Sequence, residues 1–418
     1  MPKTVTPRGL HWRLDWIVII NALLMLLYHA TGAGALGLAG NAFSGLVVIA
    51  LGFIAVGSLQ VLSRYGWLLA LLGFALVGTL IFNRGRTDPV DLLKYVSLFA
   101  FYFAALASSQ SARCSRISAA ALVLLPMVLL PVGSRVWQSD ALSGVSFSYF
   151  QTYNAAVLYF TAVLFYLYPL FGRIVLPLQL ATAIAFGKIG AILASAAAFT
   201  AWNLKINRTS IALLVVGVLV AVVAVMLGLL DRAISVVGPF ASDLYHVGPE
   251  RISRMSYGQI VQMAGTTDIS GYFRIKHWME IWQNYTSGGF GQILFGFGPG
   301  QSKVITEQRL VPHNDYLRVL AEYGLLNFVC FISLIFIALK RLPNSYLRSL
   351  FTVYVVYSLS ENIIDNFSSV ALLFGAAGLF GRKASKGKTT PRAVAQITHQ
   401  PRRAAGVEGF GELQPGHD

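Results

Sequence analysis

Apolar residues in this chain come in blocks of membrane length, not at the alternating or every-third-and-fourth positions of a soluble core. A hydrocarbon layer about 30 Å thick takes roughly 20 residues of helix to cross. Isolated strands are excluded there, because lipid offers no partner for open backbone groups. The blocks therefore predict an all-α integral membrane protein. The first runs from Trp16 to Leu38, too long for a typical cleaved signal segment, and reads as a retained anchor. Further blocks lie at 43–62, 66–82, 92–108, 117–133, 153–170, 174–187, 188–203, 209–230, 313–339, 345–361 and 367–381. That makes about twelve transmembrane helices. Residues 1–230 would hold the first nine and 313–381 the last three, with one large loop containing short helices at 231–312. Residues 382–418 are basic, rich in Gly, Pro and Gln, and expected to be a disordered tail.

Charge sets the orientation. Only 12% of the 418 residues are charged, about half the share of a soluble domain, yet the net charge is +15. The cations fall in alternate turns. These hold Arg64, then Arg113 with Arg116, Arg173, Lys205 with Arg208, and Lys340 with Arg341 and Arg348. The tail adds Arg382, Lys383, Lys386 and Lys388. Such alternation places both termini in the cytoplasm and the 231–312 loop on the far side. It accounts for the basic balance without nucleic acid, for which no binding fold is present. The two cysteines, Cys114 and Cys330, build neither a disulfide framework nor a metal site.

The exceptions to the alternation carry the chemistry. Arg84, Arg86, Lys188, Arg274, Arg309 and His313 fall on the outer side. Outward cations at membrane depth suggest an anionic ligand, and the arginine fork suits phosphate. Each has a plainer reading: Arg84 and Arg86 snorkel to headgroups, and Lys188 pairs with a buried carboxylate or carbonyl. Arg251, Arg254, His246 and His277 read as surface groups, and His11 and His29 lie far along the chain from the loop. His313 opens a helix in PHNDYLRVLAEYGLL, with Asn314 and Asp315 suited to its start. A histidine there can exchange a proton near neutral pH. Residues 272–285 have helical spacing, and the glycine-rich stretch Gly288–Gly300 permits close backbone approach to a ligand. No nucleophile elbow, zinc motif or nucleotide loop occurs, so neither metal nor cofactor is expected.

Three pieces in order, SGYFRIKHWMEIW, LFGFGPGQS and HNDYLRVLAEYGLL, resemble the O-antigen ligase and O-antigen polymerase superfamily. The matching residues are Arg274, Gly296 with Gly298, His313 with Asn314, and Glu322 with Gly324. The ligase signature holds through Gly324 and departs at Asn327 and Phe328, where Gly and Thr are expected. GKIGAIL resembles the family's Ser-Arg-Gly segment, with Lys188 in the Arg position. The resemblance implies a metal-independent, inverting glycosyltransferase of GT-C-like architecture in a bacterial inner membrane, with a periplasmic site. Its donor would be a glycan on undecaprenyl diphosphate, and its acceptor, for the favoured ligase activity, a sugar hydroxyl of the lipid A core. A polymerase or a protein O-oligosaccharyltransferase is the alternative within the family, and a lipid or polysaccharide transporter the alternative outside it. On this reading His313 and Arg274 are catalytic. Lys188, Arg309, Arg84, Arg86 and Asn314 meet the diphosphate or substrate, and helix 272–285 covers it.

Overall fold

A computed structural model describes residues 15–26, 35–108, 115–128, 153–203, 208–226, 231–265 and 269–386. Met1–Ala384 forms one unit, treated below, and Ser385–Asp418 a second. Every regular element among the described residues is a helix. They are α1 (Trp16–Leu24), α2 (Ala35–Gly57), α3 (Leu59–Phe82), α4 (Pro89–Ala107), α5 (Arg116–Val128) and α6 (Tyr153–Phe171). Next come α7 (Val175–Ala185), α8 (Ile189–Asn203) and α9 (Arg208–Met226). The long loop folds as α10 (Asp231–Val247), α11 (Pro249–Arg254), α12 (Tyr257–Ala264), α13 (Ser270–Thr286) and α14 (Phe290–Phe295). The chain then forms α15 (Asp315–Arg341), α16 (Ser345–Tyr357) and α17 (Phe367–Lys386).

Five helical runs are long and apolar enough to cross a membrane: Gly40–Gly57, Leu59–Phe82, Pro89–Ala107, Asn154–Ala185 and Asp315–Arg341. Their outer faces are apolar, with Leu46, Phe53, Trp67, Phe74 and Ile81 exposed, while Asp91, Arg318 and Glu322 are buried. An apolar surface over a polar interior suits lipid as the solvent.

Several boundaries differ from the sequence reading. Arg64 is not in a turn: α2 ends at Gly57, and α3 starts at Leu59 and carries Arg64 inside it, its guanidinium 5.9 Å from the Tyr65 ring. A long cationic side chain can lie along a helix and still reach the interface, so its position marks no helix end. The segment 16–38 is not one helix, because α1 stops at Leu24 and α2 begins at Ala35; 27–34 lies outside the described residues. The segment 174–203 agrees with the sequence reading: it is two helices, parted at Gly187 (φ 61°). α16 stops at Tyr357, four residues early, and α17 runs past 381 to Lys386. Arg113, Cys114, Lys205, residues 129–152 and the tail from 387 fall outside the described residues.

The turns assigned to the far side gather at one end of the helices. Asp88 N donates to Pro299 O (2.9 Å), Asn154 donates to Glu361, and Lys94 Nζ lies 2.7 Å from Asp365 Oδ1. The Cβ position of Gly190 lies 2.8 Å from Ser360 Oγ. The other end holds cation–ring contacts: Arg341 on Tyr65, Arg173 on Tyr346 and Arg348 on Trp202.

Two devices rigidify the first of these ends. One is a buried ion cluster. Arg318, 2% exposed, lies 3.1 Å from Asp91, 3.3 Å from Glu322 and 3.0 Å from Asp365. Lys94 bridges Asp91 (2.9 Å) and Asp365 (2.7 Å), and Lys303 reaches Asp91 at 3.2 Å. The Ser302 hydroxyl donates to Glu322. Outside the spans, burial disfavours the ionised form of Asp365, but Arg318 and Lys94 prevail and hold its carboxyl below the usual range.

The other device is a backbone clasp. α15 breaks at Gly324, whose φ of 80° and ψ of 176° suit only glycine. A Cβ there would sit 2.3 Å from Leu294 O, and one on Gly296 would sit 2.3 Å from Glu322 O. Phe297 N donates to Ala321 O and Gly298 N to Glu322 O, both at 2.9 Å. Thr79 Oγ1 lies 3.1 Å from Phe295 O and 3.2 Å from Tyr323 O. It accepts from Asn327 Nδ2 (3.1 Å), while Asn83 Nδ2 donates to Gly296 O (3.2 Å). A broken helix at membrane depth needs its freed carbonyls satisfied, and these bonds do it. The glycine stretch thus packs on backbone at two points, Gly296 against α15 and Gly298 against Arg86 O of the α3–α4 turn.

Candidate active site

α15 begins where the sequence places its start. The Asn314 side chain caps it, accepting from Leu317 N at 3.0 Å. Asp315 turns the other way and accepts from Ile363 N (2.9 Å) and Ile364 N (3.1 Å), while its own N–H donates to Ser358 O (2.9 Å). The backbone around His313 is thus stitched to the turn 358–366, which carries Glu361. Asn314 serves as a cap, which is a structural use of its carboxamide oxygen.

Glu361, 4% exposed, is the centre of the site. Arg274 of α13 lies 2.7 Å from its Oε1 through Nη2. Asn154 of α6 donates to Oε2, and Tyr357 OH donates to Asn154 Oδ1 at 2.8 Å. His313 Nδ1 lies 3.4 Å from Oε2, at ion-pair distance, and makes no hydrogen bond. The His313 and Arg274 side chains are 37% and 28% exposed, so both can meet a ligand while the carboxylate beneath them stays dry. A carboxylate at that distance can attract positive charge that forms on the ring when a base takes up a proton. Catalytic hydrogen bonds are often long before substrate binds.

The other candidates divide. Lys188 sits on the turn before α8, beside this cluster, since Gly190 abuts Ser360 and Tyr357. Arg309 is exposed in a left-handed conformation (φ 53°), between two residues that hold His277. Arg84 and Arg86 are exposed on the α3–α4 turn. The Arg86 carbonyl accepts from Gln301 Nε2 (2.6 Å), which ties that turn to the glycine loop and not to Glu361.

His277 is not a surface group. It is 1% exposed, with Nδ1 3.2 Å from Gln308 Oε1 and Nε2 3.1 Å from Leu310 O, and it stacks on Phe273. α13 is pinned further by Asn284 to Ile305 O (2.6 Å), Tyr285 to Ile293 O (2.7 Å) and Lys276 to Ser253 O (2.8 Å). Burial pushes the His277 imidazole below its ordinary value, against weaker opposing contributions from Gln308, Glu280 and the Leu310 carbonyl. An unfolded histidine titrates near ~6.5. With the folded value lower, the stabilisation is complete above about pH 6.5 and is lost as pH falls through the folded value. Thermal melts should therefore shift down between about pH 7 and pH 5, and His277→Phe should flatten that shift. Parallel curves for the two proteins would remove His277 as the cause.

Sequence reasoning missed Glu361, Asn154 and Tyr357. A signal existed for Glu361: with Asp365 it puts two acids at the far-side end of an apolar block, the sign that complements outward cations. Among the described residues no cluster of His, Cys, Asp and Glu could hold a metal ion. No protein-family model matches the chain, and no curated protein matches it.

Proposed function

We propose that this protein is a membrane glycosyltransferase that moves a glycan from undecaprenyl diphosphate to an acceptor hydroxyl. O-antigen ligase, with the lipid A core as acceptor at the periplasmic face of the inner membrane, is the favoured activity. One observation carries the reading: His313 and Arg274, 39 positions apart and from separate motifs of the resemblance, meet on the buried carboxylate of Glu361.

The chemistry needs little more. The donor brings its own leaving group. As the acceptor oxygen bonds to the anomeric carbon, the bond from that carbon to the phosphate oxygen breaks. Undecaprenyl diphosphate leaves with the electron pair, and the acceptor proton passes to His313. Attack opposite the leaving group inverts the carbon. Glu361 stabilises the imidazolium and orients the ring. Its bond to Arg274 engages one N–H of five, leaving the guanidinium fork for the diphosphate. Lys188, on the neighbouring turn, is the second cation for that charge. Asn327 and Phe328, where the ligase signature lapses, leave the site's chemistry intact, since Asn327 serves the backbone clasp instead.

The test is a gel of surface lipopolysaccharide from a strain lacking the gene. Bare core, with long glycan accumulating on undecaprenyl diphosphate, is the result expected of a ligase. Core bearing a single repeat would make the protein a polymerase. An unchanged ladder would overturn both.

A further inference from the structure

A second feature lies among α7, α8, α9 and α16, apart from Glu361 and independent of the transferase reading. A cavity of about 230 Å³ opens among α7, α8, α9 and α16. Its walls are largely apolar, with Leu176, Leu180, Ala198, Phe199, Val218 and Val353 among them, and no charged side chain lines it. Gln179 also lines it. That side chain is 1% exposed, and neither its Nε2 nor its Oε1 has a hydrogen-bond partner. None of the lining hydroxyls reaches it: Ser195 donates to Ala191 O (2.8 Å), Ser349 accepts from Asn203 Nδ2 (2.6 Å), and Thr200 is exposed.

Native proteins leave few buried polar atoms unsatisfied, and a donor and an acceptor orphaned on one side chain ask for a partner. Apolar cavities of roughly 150 Å³ admit a benzene-sized guest, so this one admits a length of alkyl chain. The missing partner must donate and accept at neighbouring points, which a hydroxyl does and a hydrocarbon chain does not. It must also be uncharged, for want of any charged lining. Gln179 sits in the second turn of α7, shortly after Arg173, whose guanidinium lies over the Tyr346 ring. If Arg173 lies at the headgroups, as its cation–ring contact with Tyr346 suits, Gln179 lies where the polar end of a bilayer lipid meets its chains.

We propose that this cavity binds an uncharged glycerolipid with a free hydroxyl, of the diacylglycerol class. Its hydroxyl bonds the Gln179 carboxamide, and an acyl chain lies between α7 and α9. The test uses the full-length protein in nanodiscs with a diazirine-bearing diacylglycerol, the labelled peptides being mapped by mass spectrometry. Label should concentrate on residues 176–199, and unlabelled diacylglycerol should compete at least about tenfold better than triacylglycerol, which lacks the hydroxyl. Gln179→Leu should cut labelling about tenfold, and Gly217→Leu, filling the cavity from α9 toward Leu180, should abolish it. Gly217→Leu keeps the test decisive if Gln179→Leu fails to fold. Equal competition by triacylglycerol, labelling that ignores Gln179→Leu, or stronger competition by a polyprenol would overturn the proposal. So would label no greater than on the outer helix faces, the result expected of a water-filled gap.

Discussion

Alanine at His313 is expected to slow glycan transfer by roughly 10²–10⁴-fold, the usual contribution of a positioned general base. Glu361→Gln should lose less. The amide can keep the bond from Asn154 if it turns its oxygen that way, but it cannot stabilise an imidazolium by charge. Hydrogen bonds to charged groups contribute about 1.5–3 kcal/mol, so a loss of roughly 10–150-fold is expected. The informative protein is the double variant. If Glu361 works through His313, the second substitution adds little to the first. Losses that multiply would detach Glu361 from the base and leave it only the task of placing Arg274. The measurement is transfer from purified lipid-linked donor in vesicles, normalised to the amount of monodisperse protein.

Arg318→Met should have the largest effect on stability. The guanidinium, 3% exposed, faces Asp91, Glu322 and Asp365, and removing it strands their charge. Breaking a buried ion pair by deleting one partner costs about 3–5 kcal/mol. Lys94 compensates two of the carboxylates but does not contact Glu322. A sharp fall in melting temperature in detergent, or failure to recover monodisperse protein, is expected. Adding Glu322→Gln should restore part of the loss, because an amide needs no counter-charge. A single Arg318→Met protein that melts normally would show that the cluster contributes little to holding α4 and α15 together.

The parts of this structure that follow from local pattern were readable in advance. Apolar blocks announced α4, α6 and α15 closely, and Asn314 announced the start of α15 because capping is a local interaction. Helix ends set by tertiary contact were not readable. α16 looked apolar through 361, yet it stops at Tyr357, and the turn beyond it is held by Asp315 accepting from Ile363 and Ile364. Glu361 escaped notice for the same reason. Its partner Arg274 is 87 positions away, and no periodicity links an acid after one helix to a base on another. His277 was misplaced because the segment covering it, 308–310, is irregular and leaves no pattern to read. The glycines were noticed but their backbone neighbours were not, since the absence of a side chain permits close approach by any atom, whether of a ligand or of another stretch of backbone.

The ion cluster bears on how the chain is made. Tyr323, one turn beyond Arg318, hydrogen-bonds the Asp91 carbonyl across 232 residues of sequence. At a synthesis rate of roughly 5–20 residues per second, Asp91 waits some 10–50 s in the bilayer before its guanidinium partner exists. Lys94, one turn along the same helix, is present from the outset and 2.9 Å away in the finished protein. It can chaperone the acid through insertion, and Arg318 later joins it. The pair within α4 needs no later part of the chain to form, and a chain without Lys94 is expected to insert less efficiently, which a membrane-integration assay would read.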